Sequence, residues 1–400
     1  MGKSESKSLD LIKDLWKLAE DIEEAEISNV EINADELALV IQPIVSTIAK
    51  SIPTQSQIIQ DAKVQQLVES KFEIPIETYP GKISEVTIGA TKSEGGSRGK
   101  VVKAGGMSTM PFYSFEKEIL NKPVFAIDIF DVPLKLAKMV KIHYEEVMED
   151  PAEWAKKVVK FGADVVSLNL ISTDPLLDDV SPSKAAKVVE DVLQAVDVPL
   201  IIGGSGNMEK DPLVLEAAAK VAEGERVILN SAKTDNDYKK IAEVAKKYGH
   251  IVIAFTPMDI NNQKKLNKML ITEGLPKESI LIDPTTAALG YGIDYTISLM
   301  ERIKQAGLLG DEDLQMPILA PTSNAWGARE AWMKNEEWGP REYRGPLWET
   351  ITTLTVLLSG GDVFMTSHPA NVRVIKNLID DILNKSTKGQ PVEDWITALG

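Results

Sequence analysis

Eight short apolar runs recur along the C-terminal two thirds of the sequence, and a segment of helical length and periodicity follows each one. The runs are rich in Val, Ile and Leu without strict alternation, which is typical of parallel strands covered on both faces. They are VFAIDIF from Val124, DVVSLNL from Asp164, PLIIGG from Pro199, RVILNS from Arg226, HIVIAFT from His250, SILID from Ser279, PILAP from Pro317 and DVFMT from Asp362. Eight strand–helix units in series predict an α/β fold of the (β/α)8 TIM-barrel class. An open doubly wound sheet is the alternative, but the unbroken series favours closure.

The sequence divides into three predicted regions. Residues 1–80 carry acidic amphipathic helical patterns and predict an N-terminal helical extension. This extension packs on the barrel or docks another subunit, and we expect packing because apolar helix faces are usually buried within their own chain. Residues 81–383 contain the barrel, and from Ile83 two β-like stretches flank a Gly-, Ser- and Lys-rich turn, which predicts a β-hairpin before the first barrel strand. We expect this hairpin to plug the bottom of the barrel. Residues 384–400 form a C-terminal tail.

Charge and cysteine content exclude several classes of function. A formal net charge of −16 argues against binding nucleic acid or an anionic membrane, since both require a dense cationic face. The absence of cysteine excludes disulfides, thiolate nucleophiles and any Cys-ligated cluster built from this chain alone. No stretch approaches the roughly 20 apolar residues that span a bilayer, and the start lacks the apolar core of a signal peptide. We therefore expect a cytoplasmic protein.

The connection after the seventh predicted strand is long and rich in aromatic residues. We call it the Trp loop; its four tryptophans and three arginines are Trp326, Trp332, Trp338, Trp348, Arg329, Arg341 and Arg344. Long loops on the active face of a barrel are usually functional, and Trp and Arg concentrate binding energy at interfaces. The loop therefore predicts a lid or a docking surface, while packing of rings onto the barrel wall accounts for about half of them.

Polar residues at the predicted strand ends are the candidates for chemistry, because reactive groups of such barrels lie there. These residues are Asp128, Asn169, Asn207, Asn230, Asp259, Asp283, Asn324 and His368. Amides and carboxylates in this arrangement suit recognition of the edge of a heterocycle. We expect no lysine within or at the end of any of the eight barrel strands, which argues against Schiff-base chemistry. We also expect no two of the three histidines to share a site, which argues against a His-rich metal centre.

Three strand ends carry specific local patterns, IIGGSGN, ILNSA and ILIDP. They resemble the pterin-binding barrels, the class of dihydropteroate synthase and the methyltetrahydrofolate-dependent methyltransferases. The resemblance gives Asn230 and Asp283 the role of holding a pterin ring. It departs from that class where residues 203–205 (GGS) replace an aspartate and where no lysine lies near Ser323. The predicted cofactor-binding residues are Gly204, Ser205, Asn207, Asn230, Asp283 and Asn324.

A second resemblance covers residues 80–380. IGATKSEGGSRGKVVKAGGMSTMPF, IIGGSGN, ILNSA, NAWGAREAW, RGPLWE and SGGDVFMTSHP follow one another in this order. Together they are similar to the small subunit of the corrinoid iron–sulfur proteins, which in methanogenic archaea is the delta subunit of acetyl-CoA decarbonylase/synthase.

This resemblance implies a heterodimer with a larger gamma subunit that carries a corrinoid and an iron–sulfur cluster, with acetyl-CoA synthase and CO dehydrogenase subunits as further partners. It implies methyl transfer between a tetrahydropterin and a nickel cluster, with the corrinoid (cobamide) at the subunit interface, a tetrahydropterin as a second candidate ligand, and no metal or catalytic residue from this chain. Two other hypotheses stay open: a stand-alone pterin-dependent methyltransferase, and a structural organiser of the complex without a catalytic role.

Overall fold

The eight apolar runs form the eight parallel strands of a closed barrel, as predicted, in the computed structural model, which describes residues 73–384. A two-stranded antiparallel hairpin precedes them. The predicted helical extension and the C-terminal tail lie outside the described residues, except for 73–80 and residue 384. The hairpin strands are β1 (Glu85–Ile88) and β2 (Val102–Gly105), and the barrel strands are β3 (Val124–Phe130), β4 (Val165–Asn169), β5 (Leu200–Gly203), β6 (Ile228–Ala232), β7 (Ile251–Phe255), β8 (Ile280–Asp283), β9 (Ile318–Pro321) and β10 (Gly361–Thr366).

Helices alternate with the barrel strands and cover their outer face. They are α1 (Lys138–Lys141), α2 (Pro151–Lys160), α3 (Pro182–Ala195), α4 (Asp211–Val221), α5 (Tyr238–Tyr248), α6 (Ile260–Thr272), α7 (Ile293–Leu308), α8 (Arg329–Trp332), α9 (Arg341–Leu358) and α10 (Pro369–Asn384). None of the helices within residues 73–384 is both long and apolar enough to cross a membrane. Strand β10 pairs with both β9 and β3, which closes the cylinder.

The absence of alternation in the strands has a structural reason, since each strand buries side chains on both faces. In β5, Ile201 belongs to the cluster inside the barrel, while Leu200 and Ile202 pack outward against the helices. The inner cluster also contains Val86 and Ile88 of the hairpin, both fully buried. The hairpin therefore plugs the end of the barrel where the strands begin, which we call the bottom, and this prediction is confirmed.

Ion pairs fix the bottom of the barrel. The Lys304 ammonium of α7 is fully buried and contacts the Asp362 carboxylate of β10, whose Oδ2 also accepts the backbone N–H of Ile318 at 2.7 Å. Arg98, in the turn that connects β1 and β2, donates from Nε to Glu225 at 2.6 Å. Its guanidinium also donates to three backbone carbonyls near the end of α3 and the start of β5. These contacts hold the plug against the barrel.

The Trp loop is divided between anchored and exposed rings. Trp326 Nε1 donates to Glu349 Oε2 at 3.0 Å, and Trp348 Nε1 donates to the Leu289 carbonyl at 2.9 Å. Trp332 and Trp338 instead are 46% and 40% exposed. Half of the loop's tryptophans thus bond to the barrel and its loops, and half present their rings on the outer surface of the loop.

Candidate functional site

A cavity of about 400 Å³ opens at the end of the barrel where the strands finish, which we call the rim. We call this cavity the mouth. It is lined by Gly204, Ser205, Gly206, Asp211, Asn230, Ser231, Lys233, Phe255, Asp283, Thr285, Pro321, Asn324 and Met365. Five of the six residues proposed from the sequence as cofactor-binding therefore meet in one cavity of the size that small-molecule sites have.

Asp283, the last residue of β8, supplies a buried carboxyl group to the mouth. Its Oδ1 accepts the backbone N–H of Thr285 at 2.9 Å. Burial raises the pKa of Asp283 to about 7, against the lowering effects of the Thr285 N–H and the Lys233 ammonium. A carboxyl group with such a pKa takes up and releases a proton near neutral pH, so it can offer a ligand either a donor or an acceptor.

The backbone beside Asp283 is strained. Thr285 has a φ of 74°, in the left-handed region that β-branched residues rarely adopt. Its hydroxyl donates to the Thr256 carbonyl at 3.1 Å, which helps to hold this conformation. Backbone strain of this kind persists only where surrounding contacts maintain it, and it is found most often at functional sites.

Two amide side chains flank a glycine at the ends of three neighbouring strands. The register of β4, β5 and β6 places Asn169, Gly203 and Asn230 side by side. A Cβ on Gly203 would lie 2.8 Å from the Asn169 Oδ1, so glycine is what allows this amide to occupy the space. Asn324 lies across the mouth, exposed, and its Nδ2 donates to the Thr286 carbonyl at 3.0 Å.

The glycine-rich loop after β5 is held by a carboxylate that the sequence reasoning missed. Asp211, the first residue of α4, accepts the backbone N–H groups of Ser205 and Gly206, both at 2.9 Å. A Cβ on Gly204 would lie 2.2 Å from the same carboxylate, which explains the glycine there. Because Asp211 already occupies the free N–H groups of the loop, this loop does not offer them to a phosphate.

Lys233 corrects the expectation that no lysine lies at a strand end. Strand β6 continues to Ala232, one residue beyond the predicted run, so Lys233 directly follows it and lines the mouth. Its ammonium lies 5.5 Å from the centre of the Phe255 ring and opposes the rise in pKa that burial causes at Asp211 and Asp283. The signal was present in the sequence, but the end of the strand was placed too early.

Asn207 is the one proposed binding residue that does not line the mouth. Its Oδ1 accepts the backbone N–H groups of Glu209 and Lys210, at 3.1 and 3.0 Å, and so organises the turn that leads into α4. The structure gives Asn207 a place in this turn, while its neighbours Gly204 and Ser205 face the cavity.

A second buried polar cluster lies where β10 ends. Glu349 of α9 is fully buried and accepts the backbone N–H groups of Ser367 and His368 at 2.5 and 2.9 Å, as well as the Trp326 indole. Burial raises the pKa of Glu349 to about 7. Asp128 of β3 lies in the same region; burial raises its pKa to about 6, and its Oδ1 has no hydrogen-bond partner among the described residues.

Two histidines do share a site, and the expectation that none would is wrong. His143 and His368 lie with their Nε2 atoms 3.1 Å apart, because closure of the barrel places the end of β10 beside the segment that follows β3. The Ala370 N–H donates to His368 Nδ1, so the neutral ring of His368 carries its proton on Nε2 and donates it to His143. Among residues 73–384, no cluster of three or more His, Cys, Asp or Glu side chains is arranged to hold a metal ion.

Comparison with known proteins gives a consistent set of relatives. A family model described as the CO dehydrogenase/acetyl-CoA synthase delta subunit matches residues 85–336. The acetyl-CoA decarbonylase/synthase complex subunit delta of Archaeoglobus fulgidus is 54% identical over 357 residues, which are 87% of this chain and 79% of that one. The corresponding subunit of Methanothermobacter thermautotrophicus is 45% identical over 98% of both chains.

Solved structures of dihydropteroate synthase also overlay on this chain. The Xanthomonas albilineans protein covers 67% of this chain and 95% of its own, with a TM-score of 0.47 and 14% identity. The Coxiella burnetii protein covers 68% of this chain and 98% of its own, with a TM-score of 0.47 and 13% identity.

Proposed function

The chain belongs to the family of CO dehydrogenase/acetyl-CoA synthase delta subunits, as its motifs indicated, and from this premise we propose what its rim does. The mouth and the loops around it cover a corrinoid that the larger gamma subunit carries. By covering it, the chain supports methyl transfer between a tetrahydropterin and the nickel cluster of acetyl-CoA synthase. The acetyl-CoA synthase and CO dehydrogenase subunits of the complex are its further partners.

The observation that carries this proposal is a set of exposed apolar side chains on the loops that surround the polar mouth. Leu176, on the loop after β4, is 91% exposed, and Tyr295, in the first turn of α7, is 70% exposed. Others on the same rim are Leu177, Met208, Tyr291, Trp332 and Trp338, each at least 40% exposed. Large apolar and aromatic side chains that are exposed around one opening are typical of a protein interface.

The residues of the mouth fit the edge of a corrinoid. A corrinoid carries amide side chains around its ring, and the mouth offers amides that donate and accept in fixed planes. Asn324 uses Nδ2 for the Thr286 carbonyl, and its Oδ1 has no partner within residues 73–384. With a volume of about 400 Å³ the mouth accommodates an edge or side chains of such a ring rather than the whole ring. We therefore infer that the rim covers one face of a cofactor held by another subunit.

When bound, a corrinoid supplies a cobalt centre that accepts and donates a methyl group. The contribution of this chain is to exclude water from that centre, because a strongly nucleophilic metal centre is lost when it is protonated or oxidised. Asn230 and Asn324 orient the ring edge, while Phe255, Pro321 and Met365 supply apolar surface in the same cavity. The rim loops are the parts that move aside when a methyl donor or acceptor arrives.

The test is the absorption spectrum of cobalt in the complex reconstituted with the gamma subunit. We expect Asn324→Ala to shift the cobalt absorption bands and to lower the rate of methyl transfer. Gln194→Ala is the matched control, since Gln194 is an exposed amide near the end of α3, at the bottom of the barrel. An unchanged spectrum and rate for Asn324→Ala would favour the structural organiser instead.

A second experiment tests the docking surface itself. We expect the double variant Trp332→Ala/Trp338→Ala to bind the gamma subunit at least about tenfold more weakly, since exposed tryptophans concentrate binding energy at interfaces. The control is Phe115→Ala, because Phe115 is 45% exposed but lies in the segment between β2 and β3, away from the rim. Equal affinity of both variants and the unchanged chain would contradict docking through the rim.

One observation favours a second candidate function, binding of a tetrahydropterin in the mouth. Asn230 and the protonatable Asp283 lie in one cavity whose volume suits a two-ring heterocycle. If the chain is itself a pterin-dependent methyltransferase, the isolated protein catalyses saturable methyl transfer from a methyltetrahydropterin to free cobalamin, and Asp283→Asn lowers that rate. If it is a cover, the isolated protein shows no such transfer.

A further inference from the structure

A second cavity opens beside the mouth and shares no lining residue with it. We call it the basic groove. It has a volume of about 490 Å³ and lies between the segment that follows β3 and the Trp loop. Its charged and aromatic lining residues are Lys135, Lys138, Arg341, Trp326 and Trp332.

The charge of the basic groove is opposite to that of the chain. Lys135, Lys138 and Arg341 line it, whereas no Asp or Glu does, in a protein with a formal net charge of −16. None of these three cations forms an ion pair with another side chain of residues 73–384. Three unpaired cations around one concavity attract an anion.

One of the two indole rings of the groove, that of Trp326, is fixed before any ligand arrives. The Trp326 indole donates to the buried Glu349, and its ring lies nearly parallel to that of His368, at 23° and 6.3 Å between centres. Trp332 stands 46% exposed on the same wall. An indole ring held in place next to cations provides a stacking surface for a planar ring, and the exposed Trp332 ring offers a second one.

We propose that the basic groove binds a small anion that carries a planar aromatic ring, the chemical class to which nucleotides belong. The cations contact the anionic group, and the indole rings stack on the planar ring. The volume lies in the range of small-molecule sites, and cations and rings line the same concavity, which favours one compact ligand over an extended acidic peptide. The groove shares no lining residue with the mouth, and of the exposed rim side chains proposed to contact the gamma subunit it includes only Trp332, so ADP binding is measured on the isolated chain.

The first test is calorimetric titration of the purified full-length chain with ADP. We expect saturable binding with one site, and at least tenfold weaker binding of adenosine, which lacks the anionic group, and of pyrophosphate, which lacks the ring. No binding of ADP would overturn the proposal. Pyrophosphate or an oligoglutamate peptide binding as tightly as ADP would overturn it as well, because the aromatic wall would then contribute nothing.

The second test uses variants of exposed or half-buried surface residues, which we expect to leave the fold intact. We expect Lys135→Gln/Arg341→Gln and Trp332→Ala each to weaken ADP binding at least tenfold, with unchanged circular dichroism spectra and melting temperatures. The charge-matched control is Lys184→Gln/Lys220→Gln, since both lysines are exposed on α3 and α4, outside the groove. ADP affinities equal to that of the unchanged chain in both groove variants would refute the assignment.

Discussion

The two ends of the barrel treat buried charge in opposite ways. At the bottom, the Lys304 ammonium is buried in contact with the Asp362 carboxylate, so each charge has a partner. At the rim, the Asp283 carboxyl is buried without a cation at ion-pair distance among the described residues, and its pKa rises to about 7. A buried charge whose partner is present is tolerated and is costly only when the pair is broken, whereas a buried carboxyl group without a cation lowers stability in its ionised form and is found at places that serve a function.

Other charged groups of the barrel show the same contrast between paired charges at the bottom and unpaired carboxyl groups near the rim. Arg98 and Glu225 pair at the bottom and tie the hairpin turn to the barrel. Near the rim, Glu349 is buried among N–H donors, and Asp128 lies close enough to raise its pKa further. The charged groups at the bottom therefore have a structural role, whereas the carboxyl groups at the rim can respond to pH and to ligands.

The largest expected effect on stability comes from breaking the buried ion pair at the bottom. Lys304→Met leaves the Asp362 carboxylate buried without a cation, which we expect to lower the free energy of unfolding by about 3–5 kcal/mol. Urea unfolding at pH 7.5 measures it. In the double variant Lys304→Met/Asp362→Asn the amide oxygen still accepts the Ile318 N–H, so most of the loss should be regained. A single variant as stable as the unchanged chain would show that the two ends do not differ as described.

At the rim we expect a substitution of the buried carboxyl group to raise the free energy of unfolding rather than lower it. Because the pKa of Asp283 in the folded state lies above the usual value for aspartate, the protonated form contributes stability at low pH that is lost as the pH rises towards 7. Asp283→Asn cannot ionise and still accepts the Thr285 N–H. Its stability relative to the unchanged chain should therefore increase by about 2 kcal/mol between pH 5.5 and pH 8.

Urea unfolding at the two pH values measures this difference for Asp283→Asn. Asp235→Asn, at an exposed aspartate on the loop before α5, controls for the loss of one negative charge. A difference between the Asp283 variant and the unchanged chain that stays constant with pH would mean that Asp283 is not protonated in the folded protein near neutral pH.

The smallest effect on stability is expected at Asn207, a rim residue whose role is structural, like the roles of the paired residues at the bottom. Asn207 satisfies two backbone N–H groups before α4, so Asn207→Ala should lower the free energy of unfolding by about 1 kcal/mol. Thermal and urea unfolding measure it, and Asn207→Asp, which keeps the accepting oxygen, should retain most of the stability. A cobalt spectrum altered by Asn207→Ala to the same degree as by Asn324→Ala would contradict this separation of roles.

The fold could be predicted because its main signals are local. Apolar runs mark strands covered on both faces, and Ile201, between two outward-packing neighbours, shows why they do not alternate. Asn230 and Asp283 could be proposed for the same reason, since both stand at the end of such a run and the ends of parallel strands meet at one edge.

The remaining parts of the site depend on distances that a sequence does not contain. Asp211 was missed because its carboxylate reaches back to the loop that precedes it. Lys233 was missed because β6 runs one residue further than its apolar pattern. The pairing of His143 with His368 arises only when the last strand of the barrel meets the first, so neither local pattern could indicate it.

That meeting of first and last strands also governs how the chain reaches its folded state. The Thr366 hydroxyl donates to the Ala126 carbonyl across 240 positions of sequence, and the same seam brings the two histidines together. During synthesis the cylinder stays open until β10 has left the ribosome, because no earlier segment can take its place beside β3. A nascent chain interrupted before residue 361 would thus expose the edges of β3 and β9. Exposed strand edges can pair with other chains, so such a chain would be prone to aggregation.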